Sequence, residues 1–223
     1  MKTFAAFDVI LAGAVKGGSV DYAAVAKRTV QLDALLRSVA IAEVSALSAD
    51  ERLAFYINSY NALVLRSFLA HGNKRVSDVA GFFDKETFVV AKETLTLNLL
   101  EERKIRRLDQ AGVSADPRIH FVVNCASRDC PPLAAKAYRG DTLSSALEAQ
   151  TRAFLTRPNE VSVDAKGKRV VVVQLFEWYA SDFGGEKAVR SFIARYVPAV
   201  KDQVVDETWD LDYRPYDWTP NAL

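Results

Sequence analysis

Hydrophobic residues recur at helical spacing from the start of the chain. One face of the predicted first helix carries Phe4, Phe7, Leu11 and Val15, with Asp8 on its polar side. Asp8 also interrupts the apolar core that a secretory signal needs, so the sequence predicts no signal peptide and, by default, a cytoplasmic protein. No apolar run approaches the roughly 18 to 20 residues that span a bilayer, so no membrane span is expected.

The clearest helix pattern lies further along the first half of the chain. Ser48 and Glu51 have the spacing of a capping box, and the helix that they begin is predicted over Ala49–His71, before Gly72. Shorter periodic patterns precede it through residues 25–39. The N-terminal half is therefore predicted to be helical.

Two asparagines interrupt the apolar face of this long helix. Asn58 and Asn61 fall among hydrophobic positions, whereas Arg52, Ser59 and Arg66 define the predicted solvent face. A buried amide without a partner costs about 1–3 kcal/mol, so both asparagines are expected to be hydrogen-bonded. They either tie the helix to neighbouring loop backbone or line a polar site.

The second half of the chain alternates between short strand and helix patterns. In order, the predicted elements are a strand at 88–90, a helix over 98–108, a buried strand in RIHFVVNC, a helix over 142–155, a hairpin in VSVDAKGKRVVVV, a short aromatic helix in LFEWYASDFGG, an amphipathic helix over 189–196 and a strand at 209–213. Helices lead, and strands follow without regular β-α-β alternation. The pattern predicts an α+β fold in which a helical N-terminal half packs on a mainly antiparallel sheet. No linker-like stretch divides the chain, so residues 1–223 are predicted to form one domain.

Charge is balanced along the chain, with 29 basic and 28 acidic residues and a net charge of +1. Because there is no global positive field, nucleic acid is not an expected partner. The basic cluster RKIRR, Arg103–Arg107, is predicted to be a solvated helix end, where cations favour the negative pole of the helix dipole. No strand leads into a glycine-rich phosphate loop or a GxSxG turn, so no cofactor is predicted.

The stretch HFVVNCASRDCPP concentrates reactive side chains, because it holds both cysteines and one of the two histidines in the chain. If it begins as a strand, His120 and Asn124 point to one face and Cys125 to the other. Cys130 precedes two prolines, which predicts the N-terminus of a short helix, where the dipole lowers the pKa of a thiol. The carboxylate of Asp129 opposes that effect.

These residues give the leading hypothesis, a cysteine-dependent hydrolase or acyltransferase acting on an amide or a thioester. Cys130 is the predicted nucleophile and His120 the base, with Asn124 or Glu101 as the group that orients the imidazole. The candidate substrate-binding residues are Asn58, Asn61 and Cys125.

Other interpretations stay open at this point. The chain could be a non-catalytic module whose polar His/Asn pocket binds a small molecule or a peptide. His120 and the cysteines could be packed core residues, or the cysteines could form a disulfide that braces the turn. A zinc site would need both cysteines and both histidines, with His71 on a distant helix end, and no recognised spacing supports it.

The aromatic segment near residue 180 is predicted to have a structural role. Its rings, at Phe176, Trp178, Tyr179 and Phe183, are expected to seal the core. Asp182, just before FGG, is expected to be a cap or turn residue.

Four ordered blocks of the sequence carry a family resemblance: AFYINSYNAL, RIHFVVNCASRDCPPL, LFEWYASDFG and YRPYDWTPN. In that order they resemble the domain of unknown function 547 family, found in bacteria and in plant proteins, over nearly the whole chain. The family has no established activity, so the resemblance implies a fold unit rather than a reaction. The positions that match its pattern are Asn58, Asn61, His120, Asn124, Cys125, Cys130, Trp178, Tyr179, Asp182 and Asp217.

Two parts of the chain depart from that family pattern. Glu101 matches an acidic position in a block that usually reads IEHGILR, but the block here is LEERKIR, with Glu102 where the family usually has histidine. Asp129 stands where a small residue is common. Both departures remove or oppose features that would favour a thiolate.

The predicted arrangement is also similar to papain- or transglutaminase-type architecture, in which a helical part leads to an antiparallel sheet. This is an analogy at the level of the fold. Those enzymes place the nucleophilic cysteine at the start of the central helix, where this chain has no cysteine. By this analogy, the site is rearranged or has lost its nucleophile.

Overall fold

A computed structural model describes residues 4–107 and 116–223 and shows an α+β fold. Helices dominate the chain up to residue 70 and recur among the strands that follow. The α-helices are α1 (Ala5–Ala14), α2 (Tyr22–Ala26), α3 (Thr29–Ala40), α4 (Ala49–Ala70), α5 (Leu97–Leu100), α6 (Leu143–Leu155), α7 (Leu175–Trp178), α8 (Ala180–Phe183), α9 (Glu186–Tyr196) and α10 (Lys201–Val205). Within the described residues, no helix combines the length and the apolar character needed to span a bilayer.

The long helix α4 begins as the capping-box spacing predicts. The Ser48 side chain accepts a hydrogen bond from the Glu51 backbone N–H, and the Glu51 carboxylate accepts one from the Ser48 N–H. These bonds satisfy two of the donors that a helix N-terminus leaves free. Ser59 is buried and not on a solvent face as predicted, and its hydroxyl is satisfied by donating to the Phe55 carbonyl within the same helix.

The strands form two small hairpins and one three-stranded sheet. The hairpins pair β1 (Val15–Lys16) with β2 (Ser19–Val20) and β3 (Phe88–Val90) with β4 (Glu93–Leu95). In the third sheet the order is β5 (Val161–Asp164), β6 (Arg169–Val173), β7 (Asp210–Arg214). The predicted hairpin and final strand are confirmed, and β7 pairs with β6 in the parallel direction.

The predicted strand in RIHFVVNC is wrong, because Pro117–Phe121 form a 3₁₀ helix. Asp116 accepts a hydrogen bond from the Arg118 N–H, and Pro117 occupies the first helical turn. An acidic N-cap followed by proline is a helix-start signal, and here it outweighs the β-branched residues further on. The expected alternation of side chains from His120 to Cys125 therefore does not occur.

The short helix predicted after Cys130 is also wrong, since residues 131–139 adopt no helix. Side chains from the helical half bind this backbone instead. Asp8 accepts a hydrogen bond from the Ala137 N–H at 2.7 Å, and Asn58 accepts one from the Tyr138 N–H at 2.8 Å. Cys130 consequently receives no helix dipole.

The helix predicted from Asn98 begins at Leu97 and widens into a π-helical segment, Glu101–Ile105. The Arg106 N–H donates to the Glu101 carbonyl five residues earlier, at 2.8 Å. Such π-helical turns often occur at functional sites. The predicted end of this helix at Leu108 lies outside the described residues.

Two clusters of buried hydrophobic residues meet near the 3₁₀ helix. The first surrounds α4 and includes Ile119 and Val122, and the second covers the three-stranded sheet and includes Phe121. Because neighbouring residues of this segment join different clusters, the segment is fixed from both sides. His120 lies between them.

Candidate functional site

His120, Cys125 and Cys130 line one cavity of about 270 Å³. The expected placement of His120 and Cys125 on opposite faces is wrong, because the segment is not a strand. The 3₁₀ helix and the irregular loop after it direct both side chains to the same space. Glu101 also lines the cavity.

His120 is held by a buried carboxylate that the sequence analysis did not assign to it. Its Nε2 atom lies 2.8 Å from Oδ2 of Asp182, its ring stacks on Tyr179 at a centroid distance of 3.9 Å, and the residue is 1% exposed. An ionised carboxylate only accepts hydrogen bonds, so Nε2 carries the proton and Nδ1 is left as an acceptor. Asp182 therefore sets the tautomer of His120.

Asp182 is itself fixed by Arg106. The guanidinium donates two hydrogen bonds to the carboxylate, at 2.7 and 3.0 Å. Burial alone would raise the pKa of Asp182, but hydrogen bonds from His120 and Arg106 hold it well below its usual range. Arg106 is thus part of a largely buried ion pair, which corrects the expectation of a solvated helix end for this residue, whereas Arg103 of the same cluster is exposed as expected.

The two cysteines are free thiols whose sulfur atoms lie 2.6 Å apart. The sulfur of Cys125 also lies 2.9 Å from the Ser127 hydroxyl oxygen and 3.3 Å from the Tyr216 hydroxyl oxygen. The Ser127 and Tyr216 hydroxyls are therefore two potential donors to the Cys125 sulfur, whereas the Cys130 sulfur accepts from the Cys125 thiol and from the Cys125 backbone N–H, each at 2.6 Å. Cys125 is partly exposed, whereas Cys130 is 4% exposed.

The pKa values of the two thiols move in opposite directions. Burial would raise the pKa of Cys125, but hydrogen bonds from Cys130, Ser127 and Tyr216 together lower it. Burial raises the pKa of Cys130 well above its usual value, and the neighbouring Cys125 raises it further. Of the two thiols, Cys125 thus has the lowered pKa, whereas the lowered pKa was expected at Cys130.

Asn124 holds the cysteine loop and does not orient His120. Its amide donates to the Pro131 carbonyl at 2.8 Å, and its side-chain oxygen accepts from the Ala126 N–H at 3.0 Å. Ala126 has a φ of 62°, a left-handed conformation that a side-chain bond of this kind helps to maintain. The role predicted for Asn124 falls to Asp182.

The side chains of Asn58 and Asn61 each form two hydrogen bonds with the backbone of a neighbouring loop, one with a carbonyl and one with an N–H. The Asn58 amide donates to the Tyr138 carbonyl and accepts from the Tyr138 N–H, at 2.9 and 2.8 Å. Asn61 donates to the Val122 carbonyl and accepts from the Asn124 N–H, also at 2.9 and 2.8 Å. Both amides are therefore hydrogen-bonded to loop backbone, and neither lines the cavity.

Glu101 is 8% exposed and lies in the π-helical segment at the cavity wall. Burial raises the pKa of its carboxyl group, while nearby His120, the Tyr179 hydroxyl and Arg106 act in the opposite direction. The carboxylate that orients His120 is thus that of Asp182, although Glu101 lies close by.

The opening of the cavity is aromatic. Trp178, Tyr216 and Trp218 contact each other with ring centroids 4.7 to 5.8 Å apart. Trp178 keeps 43% of its surface exposed, so it does not seal the core as predicted, whereas Phe176 is fully buried. The aromatic segment supplies both core and cavity wall.

Sequence reasoning missed the roles of Asp182, Arg106 and Tyr216. Asp182 and Tyr179 had already been marked by the family pattern, which was the available signal for a site role. Arg106 and Tyr216 lie within the LEERKIR and YRPYDWTPN blocks but were not singled out, because their partners are distant in sequence. Within the described residues, no group of three His, Cys, Asp or Glu side chains has the arrangement of a metal site.

Fold and site together define an α+β protein with a buried His–Asp pair beside two thiols. A family model described as "Protein of unknown function, DUF547" matches residues 44–155, half of the chain. The chain belongs to this family. The matched region contains His120 and both cysteines, and Asp182 lies beyond it. No curated protein and no solved structure matches the chain.

Proposed function

We propose that this protein is a cysteine-dependent hydrolase or acyltransferase acting on an amide or a thioester. Cys125 is the nucleophile, His120 the general base and Asp182 the residue that positions His120. The observation that carries the proposal is the shared cavity, in which a thiol of lowered pKa and an imidazole fixed by a buried carboxylate both line the wall. This combination is what nucleophilic catalysis by a thiol requires.

Cys130 supports Cys125 instead of attacking the substrate. Because the pKa of Cys130 is raised and that of Cys125 is lowered, the proton shared by the two sulfur atoms stays on Cys130. The Cys130 thiol then donates to the Cys125 thiolate. Ser127 and Tyr216 supply two further hydrogen bonds to the same sulfur.

The reaction follows from these assignments. The Cys125 proton passes to Nδ1 of His120, and the thiolate sulfur attacks the carbonyl carbon of the substrate. The bond to the leaving amine or thiol breaks, and His120 returns the proton to that group. Water or an acceptor amine then attacks the acyl carbon of the thioester on Cys125 and gives its proton to His120. The bond between the acyl carbon and the sulfur breaks, the acyl product leaves, and His120 returns the proton to the Cys125 sulfur.

Asp182 has two effects on His120 during these steps. Its carboxylate keeps the proton on Nε2, so that Nδ1 is free to accept one. Its negative charge also stabilises the imidazolium that forms, while Arg106 keeps the carboxylate ionised and in place. The stacked Tyr179 ring fixes the plane of the imidazole.

An activated acyl ester tests the proposal directly. We expect 4-nitrophenyl acetate to release nitrophenolate and to leave one acetyl group on Cys125, located by peptide mass spectrometry. C125S and H120A should lose the release above the uncatalysed rate, whereas C130S should keep part of it because serine can still donate to the thiolate. Acetylation of other residues, or an unchanged rate in C125S, would contradict the assignment.

One observation favours a second candidate, a non-catalytic module that binds a ligand in the same cavity. Among the described residues, no hydrogen bond joins His120 to either sulfur atom. For catalysis, the His120 imidazole and the Cys125 sulfur must therefore move closer together when the substrate binds. If H120A and D182N acylate at the wild-type rate, the binding module is the better account.

A further inference from the structure

The walls of the cavity are unusually rich in aromatic rings and contain no cation of permanent charge. Among the described residues, neither lysine nor arginine lines it. Glu101 and His120 are its ionisable groups besides thiols and phenols. The rings belong to Tyr60, Phe83, Trp178, Tyr179, Tyr216 and Trp218.

The fixed charges around this cavity favour a positive guest. Asp182 is neutralised by its two hydrogen bonds from Arg106, which lies outside the cavity wall. Glu101 makes no salt bridge among the described residues, although nearby His120 and Arg106 favour its ionised form, and the residue is more than nine-tenths buried.

Aromatic faces add to this preference. Trp178, Tyr216 and Trp218 present a cluster of rings at the opening, and the faces of such rings attract cations, most strongly for tryptophan. Tyr179 contributes less, because its ring already contacts His120 and the Arg106 guanidinium at 3.9 and 5.0 Å. Trp178 and Trp218, which line the same cavity as Glu101, therefore remain as the main aromatic contacts for a cation.

We propose that this cavity recognises an alkylammonium group of the substrate, with Glu101 as the counter-ion and Trp178 and Trp218 as the aromatic contacts. The inference rests on the proposed function, since it names the substrate class of the same site. A volume of about 270 Å³ is at the small end for ligand cavities, so the group is of side-chain size. The substrate would be an amide or thioester that carries an amine or a quaternary ammonium near its acyl carbon.

Choline and its uncharged carbon isostere, dimethylbutanol, have nearly the same shape but differ in charge. Comparing their affinities therefore measures the contribution of the charge to binding. Tryptophan fluorescence reports binding, because Trp178 and Trp218 lie at the cavity and Trp209 does not line it. We expect choline to bind the wild-type protein about tenfold more tightly than the isostere. Equal affinities for the two probes would overturn the proposal.

A pair of neighbouring glutamates supplies matched variants. E101Q removes the buried carboxylate and should remove the preference for choline, whereas E102Q changes the same charge on an exposed position and should preserve it. W178F should weaken choline binding more than binding of the isostere. Equal losses in E101Q and E102Q would contradict a specific counter-ion, and circular dichroism checks that each variant is folded.

A failure of the proposed cation recognition can be distinguished from a failure of the proposed acyl-transfer chemistry. C125S cannot be acylated but keeps Glu101 and the tryptophans, so it should still prefer choline over dimethylbutanol. If acylation of Cys125 fails while this preference persists, the proposed chemistry is wrong and the recognition of a cation stands. If Cys125 is acylated but choline has no advantage, the substrate class is wrong.

Discussion

The Nε2 atom of His120 lies 2.8 Å from the carboxylate of Asp182, which is 62 residues further along the chain. This contact joins the 3₁₀ helix that carries His120 to the short helix α8. Arg106 brings a third segment to the same carboxylate. The three side chains make one buried ion-pair network beside the thiols.

D182N should lower the free energy of unfolding by about 3 kcal/mol at pH 7, because it leaves Arg106 with an uncompensated buried charge. The folded-state pKa of Asp182 is depressed, so its contribution is present above the ordinary value of 3.8 and is lost as pH falls through the folded value. The difference between wild type and D182N should therefore shrink below that pH. Urea unfolding at several pH values measures it.

The exposed Asp84 provides a control of the same chemistry. D84N should change stability by no more than about 0.5 kcal/mol, as surface substitutions usually do. If D182N behaves like D84N, the network contributes little to folding. The acylation assay, run on the same samples, shows whether His120 still functions without its partner.

N61A should cost about 3 kcal/mol of unfolding free energy, because it leaves the Val122 carbonyl and the Asn124 N–H buried without partners. N58A should behave similarly through the carbonyl and N–H of Tyr138. Thermal or urea unfolding measures both changes. S59A, on the same buried helix, should cost less than about 1.5 kcal/mol, since its hydroxyl bonds only within α4.

How much of the fold could be predicted depends on whether local signals agreed. The first helix, the capped helix α4, the hairpin β5–β6 and the helix α9 were predictable because periodicity and end signals coincide there. In RIHFVVNC the local signals conflict, because the β-branched residues favour a strand whereas the preceding Asp-Pro pair favours a helix start. The helix start prevails, and the segment begins as a 3₁₀ helix. The segment after Cys130 was mispredicted because its backbone partners, Asp8 and Asn58, come from distant parts of the sequence.

The candidate site was predictable in composition but not in roles. Clustering in the sequence brought His120, Cys125 and Cys130 to attention, and the structure places all three at one cavity. The Tyr216 hydroxyl, which lies 3.3 Å from the Cys125 sulfur, is 91 residues away in sequence, and no local pattern contains that contact. The same holds for Asp182.

The buried carboxyl group of Glu160 should make the free energy of unfolding depend on pH up to neutrality. Its buried carboxylate lies 3.1 Å from the Arg157 guanidinium and 3.0 Å from that of Arg214, yet burial raises its pKa from the ordinary 4.5 to about 7. Because the folded value is raised, the stability that it contributes is complete below pH 4.5 and is lost as pH rises to 7.

E160Q should therefore show a flatter pH profile than the wild type. The unfolding free energy of the wild type should fall relative to that of E160Q by about 3 kcal/mol between the two pH values, at about 1.4 kcal/mol per unit of pKa. Urea denaturation across this range measures the difference. A constant difference would show that the two arginines keep Glu160 ionised throughout.

Y216F tests the hydrogen bonds around the Cys125 sulfur. Removing the hydroxyl should raise the pKa of Cys125, because one donor to the thiolate is lost. For a shift of about one unit, alkylation by iodoacetamide below the pKa should slow about tenfold. Y213F, on β7 and away from the thiols, should leave the rate unchanged. Equal alkylation rates in Y216F and Y213F would show that the Tyr216 hydroxyl does not lower the pKa of Cys125.

The identity of the reactive sulfur is the central claim, and alkylation of the wild-type protein measures it most directly. Trypsin cleaves after Arg128, so Cys125 and Cys130 fall in separate peptides, and mass spectrometry can follow both labelling rates across a pH series. We predict that Cys125 is labelled first, with a midpoint below the ordinary value of 9, while Cys130 stays unlabelled at neutral pH. Faster labelling of Cys130, or a Cys125 midpoint at or above that value, would contradict the account.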